Sequence, residues 1–183
     1  GVVAVPTGDP VVGLGAGTRA EMVEVERAFR RRVNAHWLAN GVTLVEPDAT
    51  WIGSDVTIGR DTIIWPNTFL QGRTTIGENC VIGPNAIVRD ATVGDGCRLG
   101  ARVTLERNVL LGEGIQIGTG AVLGSPPQDL KYRDEETWVE IGDGTIIREY
   151  STINRGTAAS GKTTVGSRCF IMTYVHIAHD CHI

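Results

Sequence analysis

Aliphatic residues recur every six positions along this chain: Ile52, Ile58, Ile64, Leu70, Ile76, Ile82 and Val88. The phase slips by one residue and resumes at Val93, Leu99, Leu105, Leu111, Ile117 and Leu123. It returns at Ile141, Ile147 and Ile153, and again at Val165, Ile171, Ile177 and Ile183. A helix repeats at three and four residues and a coiled coil at seven, so neither explains a period of six. A solenoid does, with each hexapeptide giving one short strand and one corner, and three hexapeptides closing a coil of about 18 residues. In this register the aliphatic side chain points inward and stacks on its equivalent in the next coil. Glycine follows many of these positions, as at Gly59, Gly83 and Gly118, and is read as part of the tight corners.

The small residue four places after each aliphatic also points inward: Val56, Thr62, Thr68, Thr74, Cys80, Ala86, Thr92, Cys97 and Val103, and later Cys169 and Cys181. All four cysteines therefore fall at small core positions and read as buried free thiols. Without disulfides the chain fits a reducing, cytoplasmic compartment. The 24 glycines and the 5% aromatic content suit a narrow interior with frequent corners.

A helix precedes the solenoid. Thr18 and Glu21 have the spacing of a capping box. Met22, Val25, Phe29, Val33 and Trp37 form an apolar stripe, and Arg27, Arg30, Arg31 and Arg32 read as a solvated opposite face. The expected organisation is an N-terminal extension over 1–17, a helical arm over 18–40, and a β-helix over 41–183. Two polar segments break the period, at about 125–140 and 155–164, and are read as loops extruded from corners. Such loops on a rigid scaffold are where function usually sits. The pattern still runs at Ile183 and Gly1 is not Met, so the chain is expected to be a fragment, a processed chain or a trimmed one, truncated at its C-terminus.

The charge balance of 17 basic and 21 acidic residues argues against a nucleic-acid coat. No apolar run approaches the roughly 18–20 residues of a membrane span, and no signal peptide is read. Gly156, Gly161, Lys162 and Thr163 match a phosphate-loop pattern, but another hexapeptide follows where that motif needs a helix.

The densest chemistry lies in the run from Tyr174 to Ile183. Ile177, Cys181 and Ile183 take inward positions there, so His176, His179, Asp180 and His182 project from the coil or sit at its corners. Three readings stand: one histidine is a general base, several bind zinc, or they are surface residues without a role.

The words Pro127-Gln128-Asp129-Leu130-Lys131-Tyr132, Ile147-Arg148-Glu149, Thr152 to Thr157 and His176-Ile177-Ala178-His179-Asp180-Cys181 resemble those of the acyl-(acyl-carrier-protein)–UDP-N-acetylglucosamine O-acyltransferases of lipid A synthesis. The resemblance implies a left-handed parallel β-helix, a homotrimer, no metal and no cofactor. It implies transfer of a 3-hydroxyacyl chain from acyl carrier protein to the 3-hydroxyl of UDP-N-acetylglucosamine. His179 would be the base and Asp180 its orienting partner, with Gln128, Asp129, Lys131 and His176 contacting substrate. Lys131 with Arg133, Arg148, Arg155, Lys162 and Arg168 would offer a basic face to an acidic partner. The arginine-rich helix and Gly41 to Pro47 resemble instead the linker and β-helix of the bifunctional glucosamine-1-phosphate acetyltransferase / N-acetylglucosamine-1-phosphate uridyltransferase. That keeps open an acetyl-CoA-dependent acetylation of glucosamine 1-phosphate. A zinc-binding or non-enzymatic trimeric β-helix is the further alternative.

Overall fold

A computed structural model describes Gly13 and residues 15–183. Most of the expected extension over 1–17 lies outside these described residues. The described residues wind into a left-handed parallel β-helix with three sheets of seven, seven and six short strands. The first sheet runs from Thr43–Leu44 to Phe170–Ile171, the second from Thr50–Ile52 to His176–Ile177, and the third from Thr57–Ile58 to Lys162–Val165. Every strand pair is parallel, and consecutive strands belong to different sheets, so each pairing joins one coil to the next. Parallel crossovers are normally right-handed because a twisted strand feeds them. Most strands here are two or three residues long and offer little twist to impose that hand.

The register counts the coils. Ile64 pairs with Ile82, 18 residues on, and Ile82 with Leu99, 17 on, which is the slip seen in the sequence. Ile117 then pairs with Ile147, 30 on, and Ile147 with Ile171, 24 on. The surplus residues leave the stack at a single corner, between the second and third sheets. They form loops at 126–137 and 155–161. Both are narrower than the polar segments that marked them, since Trp138–Ile141 and Lys162–Val165 are strands.

The inward aliphatic column is buried from Ile52 to Ile177, with Ile64, Leu70, Ile82, Leu105, Leu123, Ile147 and Ile153 fully enclosed. Thr62, Thr68, Thr74, Cys80, Ala86 and Cys97 fill the small positions beside it. Thr92 does not: Ala91 is buried and Thr92 is exposed, because the deleted residue is lost before position 91 rather than after it. Burial pushes the Cys97 thiol up to about 11, which leaves it protonated and unreactive. Cys169 and Cys181, in the terminal coils, are half-buried.

The corners work differently from the sequence reading. The residue three places after the aliphatic turns the chain, with φ near +60° at Asp61, Asn67, Asn79, Asn85, Arg102, Asn108, Tyr150, Tyr174 and Asp180. Asn and Asp tolerate that region best among residues with a side chain, which explains their frequency there. The glycine directly after the aliphatic serves close approach instead. A Cβ on Gly83 would lie 2.6 Å from the Gly100 carbonyl carbon, and one on Gly118 would lie 2.6 Å from the Glu149 nitrogen.

The helix Arg19–Ala39 starts with a complete capping box: the Glu21 N–H donates to Thr18 Oγ1 at 3.2 Å, and the Thr18 N–H to Glu21 Oε2 at 3.0 Å. Only its C-terminal half docks on the first coil. Val33 and Trp37 pack against the core, while Met22 and Phe29 of the same apolar stripe are exposed. Asn34 is buried and donates to Pro47 O at 2.7 Å and Thr50 O at 3.1 Å. Arg30 is not on a solvated face, since its guanidinium lies 4.8 Å from the Trp51 ring, which stacks on Phe69. No helix among the described residues is long and apolar enough to cross a membrane.

Packing this tight sets a clear hierarchy of sensitivity. Leu105→Ala is expected to destabilise by about 2–5 kcal/mol through its cavity, and Gly83→Ala by roughly 1–3 kcal/mol through overpacking. Asn85→Gly, which keeps the required φ, should stay within about 0.5 kcal/mol of wild type. Urea unfolding followed by circular dichroism measures all three.

Candidate active site

The two loops and the histidine run meet because they occupy the same corner of three successive coils. The 126–137 loop connects Val122–Ser125 to Trp138–Ile141. One coil on, the 155–161 loop connects Thr152–Asn154 to Lys162–Val165. One further coil on, His179 and Asp180 follow His176–Ile177, and His182 bridges to Thr164. Stacked coils are about 4.8 Å apart, so each loop lies within a side chain's reach of the coil next to it.

Asp180 turns its corner with φ of 62°. Its N–H donates to Thr163 Oγ1 at 2.9 Å. Its Oδ1 accepts from the Thr157 N–H at 2.8 Å, and its Oδ2 from the Thr157 hydroxyl at 2.7 Å. Ser160 Oγ also touches Oδ1, and His179 Nδ1 lies 2.8 Å from Oδ2. Burial opposes the charge on this carboxylate, but the hydrogen bonds from Ser160, His179 and Thr157 outweigh it and hold the pKa far below the usual carboxylate range. An ionised carboxylate only accepts hydrogen bonds. His179 Nδ1 must therefore donate, and in the neutral imidazole Nε2 carries the free lone pair. His179 is about a third exposed, with its side chain at 32%.

The other two histidines are engaged elsewhere. His176 Nδ1 meets Thr152 Oγ1 at 2.8 Å, and His182 Nδ1 meets Thr164 Oγ1 at 2.7 Å. Among the described residues, no three His, Cys, Asp or Glu side chains converge as a metal site.

The 126–137 loop is built from within. Asp129 Oδ1 accepts from the Lys131 N–H at 2.9 Å, so this carboxylate shapes the turn that presents Gln128 and Lys131 to solvent. Arg155 anchors the loop from the coil that follows it. It is 2% exposed, donates to Gly124 O at 2.8 Å and to the Tyr132 hydroxyl at 3.2 Å, and lies 3.7 Å from Asp134, which also pairs with Arg107. No hydrogen bond among the described residues joins Gln128, Asp129, Lys131 or His176 to His179.

Two expectations change. Arg155 is a buried strut, and Arg148 and Lys162 are paired with Glu149 and Glu140, so the basic face shrinks to Lys131, Arg133 and Arg168. Thr157 and Thr163, which hydrogen-bond Asp180, were not read as site residues from the sequence, and Arg155 was read only as a surface charge. Nothing in a Thr or an Arg marks it before the register stacks its coil under another. The one available signal was their place in the interrupting segment.

The family described as bacterial transferase hexapeptide (six repeats) matches residues 55–90 and 73–107, and the hexapeptide repeat of succinyl-transferase matches 91–125. The acyl-(acyl-carrier-protein)–UDP-N-acetylglucosamine O-acyltransferase of Chlorobaculum parvum is 51% identical over 137 residues, 75% of this chain and 45% of that protein. The one from Chlorobaculum tepidum is 65% identical over 63 residues, 34% of this chain and 24% of that protein. This chain is related to those acyltransferases. The structure of LpxA from Acinetobacter baumannii agrees, with a TM-score of 0.56 at 34% identity, over 74% of this chain and 46% of that one. The chain thus spans less than half the length of these acyltransferase relatives.

Two measurements test the construction of the corner. The depressed pKa of Asp180 contributes stability in full above the ordinary carboxylate value near 3.9, and the contribution is lost as pH falls below it. The urea midpoint of the wild type should therefore fall more than that of Asp180→Asn between about pH 5 and about pH 2. Arg155→Ala should release the 126–137 loop, costing about 1–3 kcal/mol and speeding tryptic cleavage after Lys131 or Arg133.

Proposed function

We propose that this chain performs the acyl transfer named for its relatives, moving a 3-hydroxyacyl chain from acyl carrier protein to the 3-hydroxyl of UDP-N-acetylglucosamine. The observation that carries this reading is the His179–Asp180 pair, with Nδ1 committed to an ionised carboxylate and Nε2 free, on the corner where both loops emerge. His179 Nε2 takes the proton of the sugar 3-hydroxyl, within the reach a general base needs. The oxygen attacks the thioester carbonyl, and the tetrahedral intermediate expels the carrier thiolate, which takes the proton from the imidazolium. The products are the 3-O-acylated UDP sugar and the free carrier thiol. Asp180 stays ionised throughout, fixes the tautomer and stabilises the imidazolium. No step calls for a metal or an organic cofactor.

Gln128 and Lys131 contact the substrate from the loop that Asp129 shapes, and His176 contributes its Nε2. Lys131 suits a diphosphate or the acidic carrier protein. The chain works as a homotrimer, in which a second copy walls the open side of His179. A cytoplasmic setting fits the free thiols.

Product analysis by mass spectrometry tests the reading. Purified chain is offered 3-hydroxyacyl carrier proteins with UDP-N-acetylglucosamine and, in parallel, acetyl-CoA with glucosamine 1-phosphate. The expected product is the 3-O-acylated UDP sugar, reduced at least about 10²-fold by His179→Ala. N-acetylglucosamine 1-phosphate, or no product from a folded trimer, overturns it.

A further inference from the structure

Asp180 could orient His179 only if its own carboxylate plane were fixed. Within its coil it sits on a left-handed corner, beyond a two-residue strand, and its backbone contact to Thr163 sets only the main chain. The coil below supplies the rest. The Thr157 N–H donates to Oδ1 and the Thr157 hydroxyl to Oδ2, so one residue grips both oxygens. Oδ2 is also the oxygen that meets His179 Nδ1.

The Thr157 hydroxyl is itself oriented. Its oxygen accepts from the Ala159 N–H at 3.2 Å, which leaves its single proton for Asp180. The loop holding it closes on itself, with the Gly161 N–H donating to Thr157 O at 2.8 Å. Gly156 makes that closure possible, since a Cβ there would lie 2.6 Å from Lys162 Cα. Ser160 also reaches Oδ1, but its one hydroxyl proton is shared between Lys162 O and Asp180. Lys162, directly after the loop, is committed to Glu140 at 2.8 Å and leaves the carboxylate to neutral donors and His179.

We propose that Thr157 is a positioning residue: through its N–H and hydroxyl it fixes the Asp180 carboxylate, and so the tautomer and direction of His179, from the neighbouring coil. The catalytic part of this inference rests on the acyl-transfer reading above. The loop that breaks the hexapeptide period is then part of the machinery, because it brings a donor pair under the base that no regular corner could bring.

The test uses the full chain with 15N-labelled histidine rings, in wild type, Thr157→Val and Thr157→Ser. Valine keeps the shape and removes the hydroxyl, and serine restores it. In Thr157→Val the His179 Nδ1–H signal should shift or broaden, and kcat should fall roughly 10- to 100-fold with KM within about twofold. Thr157→Ser should recover both. A Thr157→Val variant that keeps the wild-type Nδ1–H signal and kcat overturns the proposal, as does a Thr157→Ser variant impaired as badly as valine. The ring signal is read without substrate, so a wild type that transfers no acyl group defeats the functional reading while the Nδ1–H comparison still decides the role of Thr157.

Discussion

The hydrogen bonds between successive coils place everything else in this protein. Each short strand pairs only with its equivalents one coil away, so position along the axis is fixed by residue count. A coil of 18 or 17 residues puts Ile82 on Ile64 and Leu99 on Ile82. The spacing leaves no room for a Cβ where Gly83 or Gly118 passes beneath the next coil. It also makes the interior narrow, which is why aliphatic and small residues fill it. A chain held this way tolerates extra residues only if they leave the stack entirely. Both insertions do so, at the same corner.

That rigidity is what orders the side chains at the corner. Donors in one coil face acceptors in the next at hydrogen-bonding distance without any local sequence signal. Asp180 gains two of its hydrogen bonds from Thr157, 23 residues earlier in the chain, and Arg155 holds Tyr132 from the same distance in the opposite direction. The carboxylate stays ionised because these donors outweigh its partial burial. The imidazole beside it then has one nitrogen committed and one open. A flexible loop carrying the same residues would lose this order to side-chain and backbone entropy.

At the other end the helix closes the solenoid. A stacked array needs a different surface where the stacking stops. Asn34 satisfies two carbonyls of the first turns, and Val33 and Trp37 cover the first coil. Arg30 stretches over Trp51 rather than into solvent, so its charge rests on an aromatic face. The apolar stripe on this helix is longer than the surface it covers, which leaves Met22 and Phe29 outside the contact.

The sequence by itself determined the period, the inward column, the positions of the cysteines and the segments that interrupt the rhythm. These follow from a six-residue repeat, which is a local property of side chains and needs no partner to be read. The adjacency of His179 and Asp180 was legible for the same reason. Tertiary structure decided what depends on the neighbouring coil. It showed that the residue three places after the aliphatic, often Asn, Asp or Gly, turns the corner, while the glycine directly after the aliphatic admits the next coil, because close approach is visible only once the coils stack. It moved the inward position from Thr92 to Ala91, since a deletion shifts the phase at one exact residue that periodicity alone leaves open. It turned Arg155 from a surface charge into a buried strut and gave Thr157 its hold on Asp180. Those contacts join residues separated by a full coil and a loop, and only the register of the parallel sheets brings them together.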